Sequence, residues 1–299
     1  MLNGNKGEWS EIYTLLKLIA DGRMLKGDHN LMPLPKESYR IIGIERTETT
    51  TGLTTYKIHD DSVTVSNKTD CVTLERSIFA AESSRLLNEI RNLAGAAKIP
   101  ATELFMNQVL AFSLKARSQD KTDIRVEIHD HRTSVAHTRG FSIKSQLGSP
   151  PTLLNPSRQT VFRYKLAGMT QEQCNEINNI NSRGALISRI QTISNFGNVE
   201  IMHLGSTSES FSYNLRHTDD AIPDIVSSLL WNFYNQNESK LEQLLSYVTL
   251  GNIRDYRPVE AETLYAAKLK RLLANAALGM QPAQKWDGNY DANGGYLVV

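Results

Sequence analysis

Cysteine is scarce: Cys71 and Cys174 are the two in 299 residues, and they form no CxxC spacing. A disulfide framework and a structural zinc site are therefore not expected. No apolar run approaches the roughly 18 residues that a membrane-spanning helix needs. The N-terminal Met-Leu-Asn-Gly-Asn-Lys-Gly-Glu-Trp has no apolar core of the kind a secretory signal carries, so the expected location is cytoplasmic. An excess of one charge is missing as well. Lysine and arginine total 33 against 32 acidic residues, a net charge of +1, which argues against a protein that coats polyanions indiscriminately. There is no internal repeat and no low-complexity segment. What is present is an ordinary globular composition, 40% hydrophobic and 22% charged, in a chain long enough for a sizeable core.

The near-neutral total hides a basic centre. Between Lys121 and Thr170 stand Lys121, Arg125, Arg132, Arg139, Lys144, Arg158, Arg163 and Lys165, opposed by Asp123, Glu127 and Asp130 alone. A local excess of five positive charges, with His129, His131 and His137 beside it, suits a focused anion site; chance fluctuation over fifty residues is the plainer alternative.

Periodicity gives the outline of the fold. Trp9, Ile12, Tyr13, Leu16 and Ile19 recur at helical spacing, with Glu8 and Glu11 in the first turn, where the helix dipole favours carboxylates. That helix should end near Asp21-Gly22. Residues 26–37, with Pro33 and Pro35, read as loop. Short strands are expected at 39–46, 54–58 and 62–66, then helices at about 80–97 and 102–117, parted by Pro100. The period then changes to two. Ile124 to Asp130, Phe141 to Lys144 and Val161 to Leu166 read as three strands of one small sheet. Helical segments near 170–192, a strand at 199–204, another at 211–215, and helices at 220–236, 238–248 and 258–279 complete the reading. The fold class is α/β, a mixed central sheet flanked by helices, with additional helical and small β elements.

A lysine within an apolar strand is costly unless an anion accompanies it. Lys144 follows Phe141 and Ile143 in such a strand, and Asp130 closes the strand before it. If the two strands pair antiparallel, Asp130 and Lys144 are expected to converge. A carboxylate holding a divalent metal, with a lysine near the attacking water, is what phosphodiester hydrolysis requires. Magnesium favours such oxygen ligands.

Asp130 followed by Ser142-Ile143-Lys144 resembles a variant of the PD-(D/E)XK nuclease signature. The longer runs Asn5-Lys6-Gly7-Glu8-Trp9-Ser10-Glu11, Ile128-His129-Asp130, Gly140-Phe-Ser-Ile-Lys-Ser-Gln-Leu-Gly148, Thr152-Leu-Leu-Asn155 and Tyr290-Asp-Ala-Asn-Gly-Gly-Tyr296 resemble HpaII-type type II restriction endonucleases. The resemblance covers most of the chain. It implies Mg²⁺-dependent cleavage of double-stranded DNA at a short palindrome by a homodimer, with CCGG as the site to test first. It implies a restriction-endonuclease-like core in a single nuclease domain, 1–299. The catalytic core is expected in residues 1–25 and 80–215, with 30–75 a small β-rich insertion and 216–299 a helical C-terminal part that continues beyond 299.

By the same resemblance Asp130 is the metal-binding aspartate, Lys144 the catalytic lysine, and Glu8 the glutamate of the first helix. Ser142 stands where the signature carries an acidic residue. Glu8, the Ile143 carbonyl and Gln146 are the groups that compensate, with Glu8 and Gln146 favoured; strand parity places Ser142, Lys144 and Gln146 on one face. Arg132, Arg139, Arg158, Arg163 and Lys165 are the candidate DNA contacts, to backbone or base edges.

Each residue also has a plainer reading. Lys144 is then a solvated edge lysine, Asp130 a turn cap, Glu8 and Glu11 first-turn carboxylates, and Glu127, a rival metal ligand, a solvated carboxylate on the same face as Arg125. The histidines suit phosphate or solvent better than zinc. Two other functions remain open beside the leading one: a structure-specific repair nuclease of the same core, and a non-catalytic DNA-binding protein in which Ser142 marks a lost metal site.

Overall fold

The first helix, α1 (Lys6–Asp21), begins at a reciprocal cap. The Asn5 side chain accepts the Glu8 amide, and the Glu8 carboxylate accepts the Asn5 amide. It ends at Gly22, whose φ of 60° is the left-handed geometry that glycine adopts without strain. Between these caps Trp9, Ile12, Leu16 and Ile19 are fully buried, as the helical spacing predicts, and Leu15 joins them. The structure is a computed structural model that describes residues 1–115, 121–130, 134–148 and 152–299. The described residues divide into two compact units, Met1–Thr152 with Tyr290–Val299, and Leu153–Asn289.

The first unit is an α/β layer. Its strands are β1 (Arg23–Gly27), β2 (Pro33–Glu48), β3 (Gly52–Ile58), β4 (Ser62–Ser66), β5 (Cys71–Glu75), β6 (Ile124–Asp130), β7 (Val135–Lys144) and, from the C-terminal segment, β10 (Gly295–Val298). They form an eight-stranded mixed sheet in the order β10-β7-β6-β2-β3-β4-β5, with β1 also paired to β2. Every described pairing is antiparallel except β10 with β7. Helices α1, α2 (Arg76–Asn92) and α3 (Pro100–Gln108) accompany the sheet. Alternate strand residues Ile41, Ile44, Tyr56, Val63, Val65, Val126 and Ile128 join Trp9, Leu15, Phe79 and Leu86 in one core.

The structure departs from the expected loop at 26–37 and from the expected insertion at 30–75. The stretch 26–37 is largely strand, because Pro33 opens β2 and Pro35 lies before Arg40, where pairing with β6 begins; a proline without an amide to offer is tolerated on such an unpaired side. The strands at 33–75, read as an insertion, continue the same sheet as β6 and β7.

The second unit is mostly helical: α4 (Gln171–Asn178), α5 (Ala185–Asn195), α6 (Glu209–Thr218), α7 (Ile222–Asn235), α8 (Leu241–Gly251) and α9 (Pro258–Leu278). Phe211, Leu215, Ile225, Val248, Tyr265 and Trp286 are among its buried core. Residues 211–215, expected as strand, are helix. Ser208 caps that helix by accepting the Phe211 amide, and Phe211, Asn214 and Leu215 fall at helical spacing on the buried side. The strands β8 (Phe162–Ala167) and β9 (Glu200–Ser206) pair only with each other among the described residues. The third strand of the expected small sheet, Val161 to Leu166, is therefore in a separate ribbon. Of the described helices, none is long and apolar enough to cross a membrane.

Candidate active site

The register of the β6–β7 hairpin decides what meets Lys144. Asp130 pairs with Val135, Val126 with Arg139 and Ile124 with Phe141. β7 starts six residues earlier than Phe141, so the pairing runs back as far as Asp130 with Val135. Lys144 then lies nine positions beyond the partner of Asp130, ~30 Å away at about 3.3 Å per residue. The expected convergence of Asp130 and Lys144 does not occur. The cause is the segment Val135–Arg139, read as loop although it is strand; its exposed side chains lack the apolar alternation that marks a half-buried strand.

Asp123 takes the place beside Lys144. It lies one residue before β6, and one step past the Ile124–Phe141 pair sets it opposite Ser142. Its amide donates to the Phe141 carbonyl at 2.9 Å. Its carboxylate Oδ2 accepts the Ile143 amide at 2.6 Å and the Ser142 hydroxyl at 3.0 Å. Oδ1 has no hydrogen-bond donor among the described residues. Burial raises the Asp123 carboxyl above the usual carboxylate range, against the pull of the Ile143 amide, the Ser142 hydroxyl and the charges of Lys144 and Lys121. Burial, and next the Lys144 charge, push the Lys121 ammonium down, while Asp123 holds it up. One carboxylate thus shares its surroundings with two lysines, an arrangement that attracts a further anion.

The backbone around Asp123 is fixed from both sides. In an antiparallel strand a residue's amide and carbonyl point toward the same neighbour. The Ile143 amide points at Asp123, so its carbonyl faces the same way. The Lys144 carbonyl points the other way, and accepts the Val299 amide at 3.0 Å beside the parallel strand β10. The Lys144 ammonium lies 5.6 Å from the centre of the Tyr296 ring. Gly140 lets the C-terminal turn approach β7: a side chain there would strike the Asp291 carbonyl. The Gly294 amide instead donates to the Gly140 carbonyl at 2.7 Å, and the Gly140 amide donates to Asn293 Oδ1 at 3.0 Å.

The remaining sequence candidates separate. Ser142 is buried and serves Asp123 as a donor, so it is placed within the site, though as a holder of the carboxylate. Gln146 is exposed and lies beyond the end of β7; strand parity stops at Lys144, and the Gln146 amide donates to Val299. Glu8 is held by its own cap and by Lys115, whose Nζ lies 2.8 Å from Oε1. That bond from Lys115 lowers the Glu8 carboxyl. No described contact joins Glu8 to Asp123 or Lys144. Arg139 is exposed on β7; Arg158, Arg163 and Lys165 are exposed in the second unit; Arg132 lies outside the described residues, as does His131.

An arrangement of this kind fits a hard divalent cation. One carboxylate oxygen with no donor among the described residues and one carbonyl on the same side of β7 are a sparse set, and magnesium is commonly held by one or two carboxylates with water and phosphate oxygens completing its shell. Among the described residues no three His, Cys, Asp or Glu side chains converge. The residues that the sequence reading passed over are Asp123 and Lys121. The signal was the register itself: pairing of Asp130 with Val135 sets the start of β6 beside the end of β7.

The sequence matches the family model of the HpaII restriction endonuclease over residues 5–299. The type II restriction enzyme HpaII of Haemophilus parainfluenzae is 37% identical over 302 residues, which span 99% of this chain and 82% of that protein. No solved structure matches.

Proposed function

Since the chain belongs to the HpaII restriction endonuclease family and is a type II site-specific endonuclease, we propose that it cuts double-stranded DNA at CCGG, with Mg²⁺ as cofactor and Asp123 and Lys144 as its central catalytic pair. The observation that carries the catalytic reading is the Asp123 carboxylate bound to Ser142 and Ile143, directly before Lys144. CCGG follows from the likeness to HpaII.

Asp123 Oδ1 and the Ile143 carbonyl are the groups that would hold the ion. When bound, a divalent ion lowers the pKa of water and neutralises charge developing on phosphate. Ser142 and the Ile143 amide fix the carboxylate so that it need not reorganise during the reaction. Lys144 orients the attacking water and adds positive charge where the phosphorane oxygens become more negative. Lys121 raises the local positive potential that draws the scissile phosphate to the pair. Glu8 caps α1 and pairs with Lys115.

A palindrome presents the same bond on each strand, related by a two-fold axis. A chain with one such pair of residues serves both strands most simply as a symmetric homodimer.

The test is to incubate the purified protein with a DNA of known sequence and Mg²⁺, and to sequence the ends. Discrete fragments that all end within CCGG are expected. Cutting only at branched structures, or binding without cutting, contradicts the proposal. Lys144→Ala should bind the same DNA and lose cleavage by about 100-fold or more.

A further inference from the structure

The two-stranded ribbon β8–β9 has one face committed to the protein and one that is not. On the inner face the Phe162 ring meets Phe211 edge-on at 6.2 Å, and Tyr164 packs against Trp231 and His203 at 5.3 and 5.4 Å. The Tyr164 hydroxyl donates to the Ser227 carbonyl at 2.7 Å. Alternation then places Arg163 and Lys165 outward, and both are exposed. Lys165 pairs with Met202, which shares its face and is 40% exposed. A register shift next to Arg163 leaves Leu204 outside the pairing, 53% exposed.

Four features of this face point to one kind of occupant. Arg163 and Lys165 have no acidic partner among the described residues, and the one carboxylate of the face, Glu200, lies at its far end opposite Ala167. Met202 and Leu204 set an apolar floor beside two free cations, which suits a surface that is polar at its edges and dry between. No third strand pairs with either edge among the described residues. A two-stranded ribbon is also of the width that the major groove of B-form DNA, about 12 Å across, admits.

We propose that the outer face of β8–β9 enters the DNA major groove, with Arg163 forking onto the O6 and N7 of a guanine and Lys165 held on a backbone phosphate. The planar guanidinium matches those two acceptors at once, whereas an ammonium is a point charge suited to phosphate. This rests on the reading of the chain as a DNA-cutting enzyme and supplies a base-reading element for it.

The experiment uses the full chain and short duplexes with one CCGG site, in normal form and with 7-deazaguanine at each guanine in turn, which deletes N7 alone. Cleavage is followed in Mg²⁺ and binding in Ca²⁺. Arg163→Ala is expected to slow cleavage of the normal site about 5- to 150-fold. It should also be insensitive to 7-deazaguanine at the one guanine where that change slows the unaltered enzyme. Lys165→Ala should weaken binding to cognate and unrelated duplexes alike and reduce the slope of log K against log salt by about one. Both side chains are exposed, so unchanged thermal melting is expected and is the control for folding. If Arg163→Ala cuts at the normal rate, or keeps the full 7-deazaguanine sensitivity, the ribbon does not read guanine. If the unaltered protein cuts no DNA in Mg²⁺, the nuclease reading fails instead, and the binding arm in Ca²⁺ still decides whether Arg163 prefers guanine with an intact N7.

Discussion

One oxygen of Asp123 holds two consecutive residues of β7: Oδ2 accepts the Ile143 amide at 2.6 Å and the Ser142 hydroxyl at 3.0 Å. Ser142, which by resemblance stands at the acidic position of the nuclease signature, carries no charge and orients the carboxylate across the strand gap. Ser142→Ala removes one of the two donors and leaves the Ile143 amide. A hydrogen bond to a charged group is worth about 1.5–3 kcal/mol. Cleavage should fall by at least about 10-fold at saturating Mg²⁺, with DNA binding unchanged. Ser142→Thr, which keeps the hydroxyl, should recover most of the loss; single-turnover kinetics of both variants measures it.

Asp123 also has a cost that can be read in stability. Burial holds its carboxyl above the usual range. Between the ordinary carboxylate pKa and this raised one, the folded protein keeps a proton that the unfolded chain has lost. Stability therefore declines as pH rises through that window and stays lower at neutral pH. Asp123→Asn keeps an oxygen acceptor and removes the buried charge. Without added metal, its melting temperature at pH 7 should equal or exceed that of the unaltered protein, and the difference should shrink on acidification. Thermal melts from pH 4 to 8 check this.

Glu8 has the opposite sign. The bond from Lys115 lowers its carboxyl, so the pair contributes stability above the ordinary glutamate pKa and loses it as pH falls through the lowered value. The Lys115 side chain is 60% exposed, so solvent screens the pair and its worth is under about 1 kcal/mol. Glu8→Gln preserves the reciprocal cap, because glutamine can accept the Asn5 amide. We expect a small loss of stability at pH 7 that shrinks as the pH falls through the lowered carboxyl pKa, and cleavage within about threefold of normal by the same kinetics. A loss of about 100-fold or more would place Glu8 on the metal instead.

Much of the fold was legible because periodicity reports burial. Trp9 to Ile19 and Ile124 to Ile128 declare a helix and a strand through their apolar spacing, and both occur. The HpaII resemblance rested on contiguous runs such as Gly140 to Gly148, which need no register to be recognised. Lys144 was visible for the same reason, as a cation in an apolar strand. The partner of Lys144 was not. Val135 to Arg139 carry exposed, mostly polar side chains, so nothing in their pattern separates a strand from a loop. Read as loop, that segment set Asp130 beside Lys144, where the register sets Asp123. Residues 211–215 misled differently: Phe211 and Tyr213 alternate as strand residues do, yet the cap at Ser208 and the buried spacing of Phe211, Asn214 and Leu215 make a helix.

The central claim is that Asp123, and not Asp130, is the carboxylate that works with Lys144. It is tested by comparing Asp123→Asn with Asp130→Asn in Mg²⁺ on a duplex bearing one CCGG site, with binding measured in parallel. Asp123→Asn should lower the cleavage rate by about 100-fold or more while retaining DNA binding. Asp130→Asn, at the far end of the hairpin, should cut within about threefold of the unaltered enzyme. Normal cutting by Asp123→Asn together with inactivity of Asp130→Asn would contradict the account.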